Sequence, residues 1–170
     1  GNVMKRVFWV NVNSSYKEVV DGSFLWAPKL GVRKDGITFK RPGWEQLKKV
    51  SPGDIVFMHR KQHIVGVATA ASAMYDSEIP GTRKPTNPDY LGNKIDISIR
   101  LLQTPVSTEE FKDNFILNYN KQCTPLLFNK ENNVTQSYLY EIPFAAAFYL
   151  GEALGPQFPA SILSALKNDD

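Results

Sequence analysis

Covalent catalysis needs a nucleophile with a base in reach, and this sequence offers few of either. The candidates are one thiol, Cys123, and two imidazoles, His59 and His63. Cys123 stands in Asn120-Lys121-Gln122-Cys123-Thr124-Pro125, a loop-like segment without a nucleophile signature. His59 and His63 flank a tight turn with no third ligand nearby in sequence, so they read as a strand residue and a turn residue rather than a metal pair. No glycine-rich phosphate loop follows an apolar run, and the motif of an HNH nuclease is absent. The chain is therefore expected to be a binding domain and not an enzyme, with no metal and no cofactor.

Binding chemistry is better supplied. Phe8, Trp9, Tyr16, Phe24, Trp26, Phe39 and Trp44 share the N-terminal part of the chain with most of its cations. Residues 1 to 75 hold twelve of the twenty Lys and Arg against five acids, and the excess concentrates between Lys29 and Lys61. Aromatic faces beside Lys and Arg stack an exposed base while holding the flanking phosphates, and each neutralised phosphate releases counterions. Trp26 ends a short apolar piece next to Pro28, a place where a ring can line a pocket mouth. Asn11, Asn13, Ser14 and Ser15 offer short hydrogen-bonding groups suited to a base edge.

The elements that must position these groups follow from periodicity and turn chemistry. Arg6 to Val12 reads as a buried strand. Ser14 or Ser15 caps a short helix near Val19, with a glutamate three positions on from Ser15 and Gly22 closing it. Phe24 to Pro28 is a short apolar piece, the cation-rich stretch up to Gly43 a long loop, and Trp44 to Lys48 one or two helical turns. Ile55 to His59 and His63 to Thr69 form a β-hairpin turning at Arg60-Lys61-Gln62. Residues 76 to 93 carry five Pro and Gly and are expected to be irregular. Lys94 to Leu102 alternates, placing Ile95, Ile97, Ile99 and Leu101 on one face. A short helix opens after Ser107, Tyr138 to Ile142 is a late strand, and Phe144 to Leu154 and Ser161 to Lys167 are helical. The sum is an α+β chain: a curved, mostly antiparallel sheet or barrel flanked by short helices.

Composition bounds the rest. The chain has 170 residues, 42% hydrophobic and 22% charged, and a single cysteine. That is enough to build one core without disulfides or metals, so a single domain over 1–170 is expected, its main body at about 6–150 and a helical extension at 151–170. The absence of a long apolar run and of a signal-peptide pattern leads to the expectation of a cytoplasmic protein that makes no membrane contact.

Several ordered segments, FWVNVNSSYKE, DGSFLWAPK and KVSPGDIVFMHRKQHIVGVATA, together resemble the EVE domain of the PUA-like superfamily, a relative of the YTH readers. DYLGNKIDISIRLL and PLLFNKENNVTQSYLYEI extend the likeness to about residues 6 to 150. Among EVE modules the chain is most similar to N-terminal sensors of modification-dependent (type IV) restriction endonucleases, which precede an HNH nuclease domain. The resemblance implies a PUA-like twisted antiparallel β-barrel and a pocket accepting one nucleotide rotated out of the helix. It places the first pocket tryptophan on Trp26, the polar strand end on Asn13 and Ser14, and a backbone contribution on Ala27. The second aromatic position falls near Leu91, beside Tyr90, and Ser137 replaces a glycine of the family pattern. Ser15, Tyr16 and His59 complete the candidate base pocket, and Lys29, Arg33, Lys34, Lys40, Arg41, Arg60 and Lys61 are the candidate phosphate contacts.

The function expected from these residues and this likeness is reading of double-stranded DNA carrying 5-methylcytosine or 5-hydroxymethylcytosine, with a nuclease domain elsewhere in the same protein as partner. An RNA-binding PUA or YTH-like module reading a modified nucleotide is the alternative. A protein-interaction domain with purely structural aromatics is a third reading.

Overall fold

The computed structural model describes residues 3–80 and 91–168. It opens with β1 (Val7–Asn11), a 3-10 turn over Asn13–Ser15 and α1 (Tyr16–Gly22). The expected serine cap does not form: the Ser15 hydroxyl donates to the Val12 carbonyl at 2.7 Å, turning away from the first helical amides. Nor does Gly22 close the helix, which ends on Ser23 in the left-handed conformation at φ 56°. β2 (Phe24–Pro28) follows. The cation-rich stretch is more ordered than a long loop, since it contains the ribbon β3 (Gly31–Val32) and β4 (Thr38–Phe39). α2 (Pro42–Glu45) continues as a 3-10 turn over Gln46–Lys49.

β5 (Ile55–Arg60) and β6 (His63–Ala70) form the hairpin that the sequence predicts. Its two loop residues, Lys61 and Gln62, both have positive φ, 48° and 62°, the twist that matches the flanking strands. β7 (Tyr75–Glu78) and the start of β8 (Leu91–Ser107) fall in the stretch expected to be irregular. They are strands because they pair with each other and β8 pairs with β2, a source of order that Pro and Gly content does not reveal. α3 (Lys112–Asn118), β9 (Leu139–Ile142), α4 (Phe144–Leu154) and α5 (Ala160–Asn168) complete the chain.

The main sheet runs β2-β8-β6-β5-β1-β9, with β7 added on β8. Only the β1–β5 pair among these is parallel, and the sheet curls into an open half-barrel in a mixed α+β architecture. Each face carries its own core. Val7, Trp9, Phe57, Tyr140 and Ile142 pack with α3, α4 and α5 on one side, where Phe158 and Leu166 join the same cluster. Phe8, Val10, Leu25, Val56, Met58 and Ile95 pack around Leu47 on the other.

β8 serves both faces because its pairing with β6 slips: Ile64 and Gly66 lie opposite Val106 and Leu101. Such a bulge turns the strand over. Ile95 and Ile97 are buried as the alternation predicts, but Leu101 is 45% exposed and Leu102 takes the buried place at 7%.

A single carboxylate ties the entry of two neighbouring strands. Asp54 Oδ1 accepts from the amides of Lys5 and Arg6 at 2.8 and 2.9 Å, and Oδ2 accepts from Ser51 at 2.8 Å, while the residue is fully buried. Asp54→Ala should strand these amides and lower stability by about 3 kcal/mol in urea unfolding. A loss below about 0.5 kcal/mol would show that water replaces the carboxylate without cost.

Candidate functional site

The two edges of the main sheet, β2 and β9, do not pair with each other, and α2 with its 3-10 continuation packs on β9 beside the opening. This leaves a cleft of about 1250 Å³. It takes Trp26 and Pro28 from β2, Arg41 and Trp44 from the α2 segment, Asn13 to Ser15 from the first turn, and residues 135–141 around β9. The volume exceeds the ~300–1000 Å³ of a drug-sized pocket, so a nucleotide would leave room for flanking backbone.

Trp26 belongs to neither hydrophobic cluster, whereas its strand neighbours Leu25 and Ala27 point into one of them. Its indole lies over Gly92 of β8, where a Cβ would fall 2.3 Å from the ring, and Nε1 donates to the Ser77 carbonyl at 3.1 Å. The ring is 4% exposed, and it lines the cleft. It is thus a rigid wall, held from behind by a position that only glycine tolerates. The half-buried Trp44 ring carries the Arg41 guanidinium at 5.6 Å, and the same group lies 5.0 Å from the Phe39 ring. Arg41 and Lys49 make the rim basic, and the acid in the lining, Glu141, faces Arg6 at 3.6 Å.

The floor is organised by Asn11. Its Nδ2 donates to the carbonyls of Thr135 at 2.9 Å and Ser137 at 2.6 Å, which commits both hydrogens and leaves Oδ1 as an acceptor. Trp9 Nε1 donates to that oxygen at 3.0 Å, and His59 Nδ1 lies 2.8 Å from it. His59 must therefore carry its proton on Nδ1, and Nε2 keeps a buried lone pair without a partner among the described residues. The imidazole stacks on Trp9 with ring centroids 5.2 Å apart. Burial first, and the nearby His63 second, push its pKa down from 6.5 to about 4.

Of the residues expected to form the base pocket, Asn13, Ser14, Ser15 and Trp26 meet on the cleft, as does the expected phosphate contact Arg41. Ala27 lies in the core at 1% exposure and His59 beneath the floor at 5%. Tyr16 sits under the Arg60 guanidinium at 4.6 Å, which removes both from the cleft lining. Leu91 is 39% exposed at the start of β8, and Tyr90 lies outside the described residues. Lys29, Arg33 and Lys40 pair with Asp76, Asp35 and Glu45 at 2.6, 3.6 and 3.4 Å, and Lys34 and Lys61 stand on exposed turns. Trp44 and Lys49 also line the cleft, visible in the sequence only as one aromatic and one cation among many, and so does the 135–137 segment, which the sequence marked only through Ser137 in the family pattern. Among the described residues, no three His, Cys, Asp or Glu side chains converge as metal ligands, and no helix is long and apolar enough to cross a membrane.

No family model matches the sequence, and no curated protein does. Solved structures match the shape. Protein Atu2648 from Agrobacterium tumefaciens aligns at a TM-score of 0.56 and 12% identity, over 91% of this chain and 97% of that one. A hypothetical protein from Leishmania major aligns at 0.55 and 15% identity, over 92% and 97%. The fold is what these two share with the present chain. The DUF55 domain of human thymocyte nuclear protein 1 is a more distant neighbour, at a TM-score of 0.44 and 13% identity over 96% and 99%.

The His59 environment sets a pH dependence. Because the folded pKa is the lower one, the unfolded chain binds more protons between pH 6.5 and about 4. This contribution to stability is complete above pH 6.5 and is lost as pH falls towards about 4. The loss should reach about 3 kcal/mol in urea unfolding, and His59→Asn, which keeps a donor for Asn11, should lack it. Parallel profiles for the two proteins would place the titration elsewhere.

Proposed function

We propose that this chain is a nucleic-acid-binding module of the EVE type that takes one modified base of double-stranded DNA into the cleft. The observation that supports this reading best is the joint presence, on one cleft, of two tryptophans, a basic rim and short polar side chains at Asn13 and Ser14. Trp26 and the half-buried Trp44 bring two indoles to the cleft, and Arg41 and Lys49 suit the phosphates on either side of an extruded nucleotide. The preferred target is cytosine modified at the 5 position, since Asn and Ser can answer its polar edge while the indoles take the methyl.

Energies are consistent with such a task. Rotating a base out of a duplex costs a few kcal/mol, and stacking returns ~1–3 kcal/mol per base. Burying one extra methyl is worth only ~1 kcal/mol, so discrimination of about tenfold is expected from contact alone. A reader of this selectivity acts as a targeting module, and we assign cleavage to a nuclease domain outside this chain, as in modification-dependent restriction.

Fluorescence anisotropy with duplexes differing only in one 5-methyl group tests the reading: about tenfold tighter binding of the modified duplex is expected, and equal affinity would end it. Trp26→Ala should abolish that preference while keeping salt-sensitive background binding. Arg41→Ala should weaken both duplexes alike and lower the salt slope by about one. Tighter binding of the same modified base in RNA would reassign the module to RNA.

A further inference from the structure

The cleft holds two indoles in unlike settings. Trp26 is 4% exposed, its ring lies over Gly92, and its Nε1 is committed to the Ser77 carbonyl. Such a ring bounds a site but has little surface to share with a base. Trp44, on the α2 segment, is half-buried and rests on the core cluster around Leu47. The backbone that carries it is fixed: a Cβ on Gly43 would fall 2.5 Å from the Tyr138 amide nitrogen, and the Trp44 amide donates to the Arg41 carbonyl at 3.0 Å. Phe39 adds a second ring, with centroids 5.9 Å apart, and is itself seated on Gly31, where no Cβ would fit.

What lies over Trp44 is the guanidinium of the exposed Arg41, 5.6 Å from that ring and 5.0 Å from Phe39. The neighbouring cations are held differently. Lys29, Arg33 and Lys40 face Asp76, Asp35 and Glu45, whereas Arg41 has no carboxylate partner among the described residues. Arg41 and Trp44 both line the cleft, so a planar cation holds the kind of place that a planar base would take. An exposed cation–π contact is weak, and a phosphate offers the same guanidinium two charge-assisted hydrogen bonds. A nucleotide brings both replacements at once, a base for the ring and a phosphate for the cation.

We infer that Trp44 is the stacking residue of the cleft and that Arg41 is its placeholder: the extruded base takes the guanidinium's position over the indole, and the guanidinium moves to a phosphate of the same strand. This rests on the base-extrusion reading above and deepens it. Trp26 keeps the separate task of bounding the cleft. Trp44 then governs whether any base is held, and Trp26 whether its methyl group is preferred.

The test compares a duplex carrying cytosine at the target position with the same duplex carrying an abasic site there. Trp44→Leu should lower the preference for the base-bearing duplex, read as the ratio of the two Kd values, by about tenfold, and Trp44→Phe should recover part of it. In protein labelled with fluorotryptophan, the fluorine NMR resonance assigned by Trp44→Phe should shift further on the base-bearing duplex than on the abasic one. In the free protein, Arg41→Gln should increase the solvent isotope shift of that resonance, because it uncovers the ring. A Kd ratio unchanged in Trp44→Leu, or a Trp44 resonance that responds alike to both duplexes, would overturn the stacking assignment. An unchanged isotope shift would overturn the placeholder. A 2-aminopurine beside the target separates this inference from the reading beneath it: its fluorescence rises with the parent protein when the base leaves the stack, and without that rise the extrusion reading itself fails. All of these comparisons run on bare DNA, so equal affinity for methylated and bare duplexes would remove the modification preference without touching Trp44.

Discussion

A β-strand sends alternate side chains to opposite faces, so a strand buried at every position must be covered twice. β1 is such a strand: all five residues of Val7–Asn11 are buried. That requirement puts it inside the sheet, between β5 and β9, and demands packing on both sides. The C-terminal helices supply one cover and the other half of the curled sheet, with Leu47, supplies the second. Asp54 and Asn11 then hold the two ends of the strand, the first through backbone amides before it and the second through carbonyls beyond the neighbouring strand.

The cleft is what remains when a curled sheet does not close. β2 and β9 leave a gap between them, and the α2 segment bridges it only in part. Open edges expose unsatisfied backbone, which natural sheets cover or make polar. This one is lined by two indoles, two cations and short amides. Trp26 is fastened by a hydrogen bond and a glycine contact, and Asn11 fixes the carbonyls of the opposite segment. A surface prepared in this way loses little side-chain entropy on binding, which favours stacking on a single planar ligand.

Several cations that the sequence places in one cluster are paired with acids: Lys29 with Asp76, Arg33 with Asp35 and Lys40 with Glu45. Exposed pairs of this sort are worth little and exchange readily for a phosphate.

Much of the architecture was legible in the chain. The apolar Val7–Val10 run, the turn between His59 and His63, and the helical spacing of Phe144 to Leu154 each depend on neighbours close in sequence, and each stands where local chemistry puts it. Trp26, read from the sequence as the end of a short apolar piece, stands instead at the middle of β2. Tertiary pairing decided the rest. β7, the start of β8 and its face-switching bulge exist because distant strands satisfy their backbone groups. Ala27 and His59 turned inward, while Trp44, Lys49 and the 135–137 segment joined Trp26 across a gap set by sheet curvature. Curvature and edge pairing sum over the whole chain, and so no window of local sequence could have shown which side chains would share the cleft.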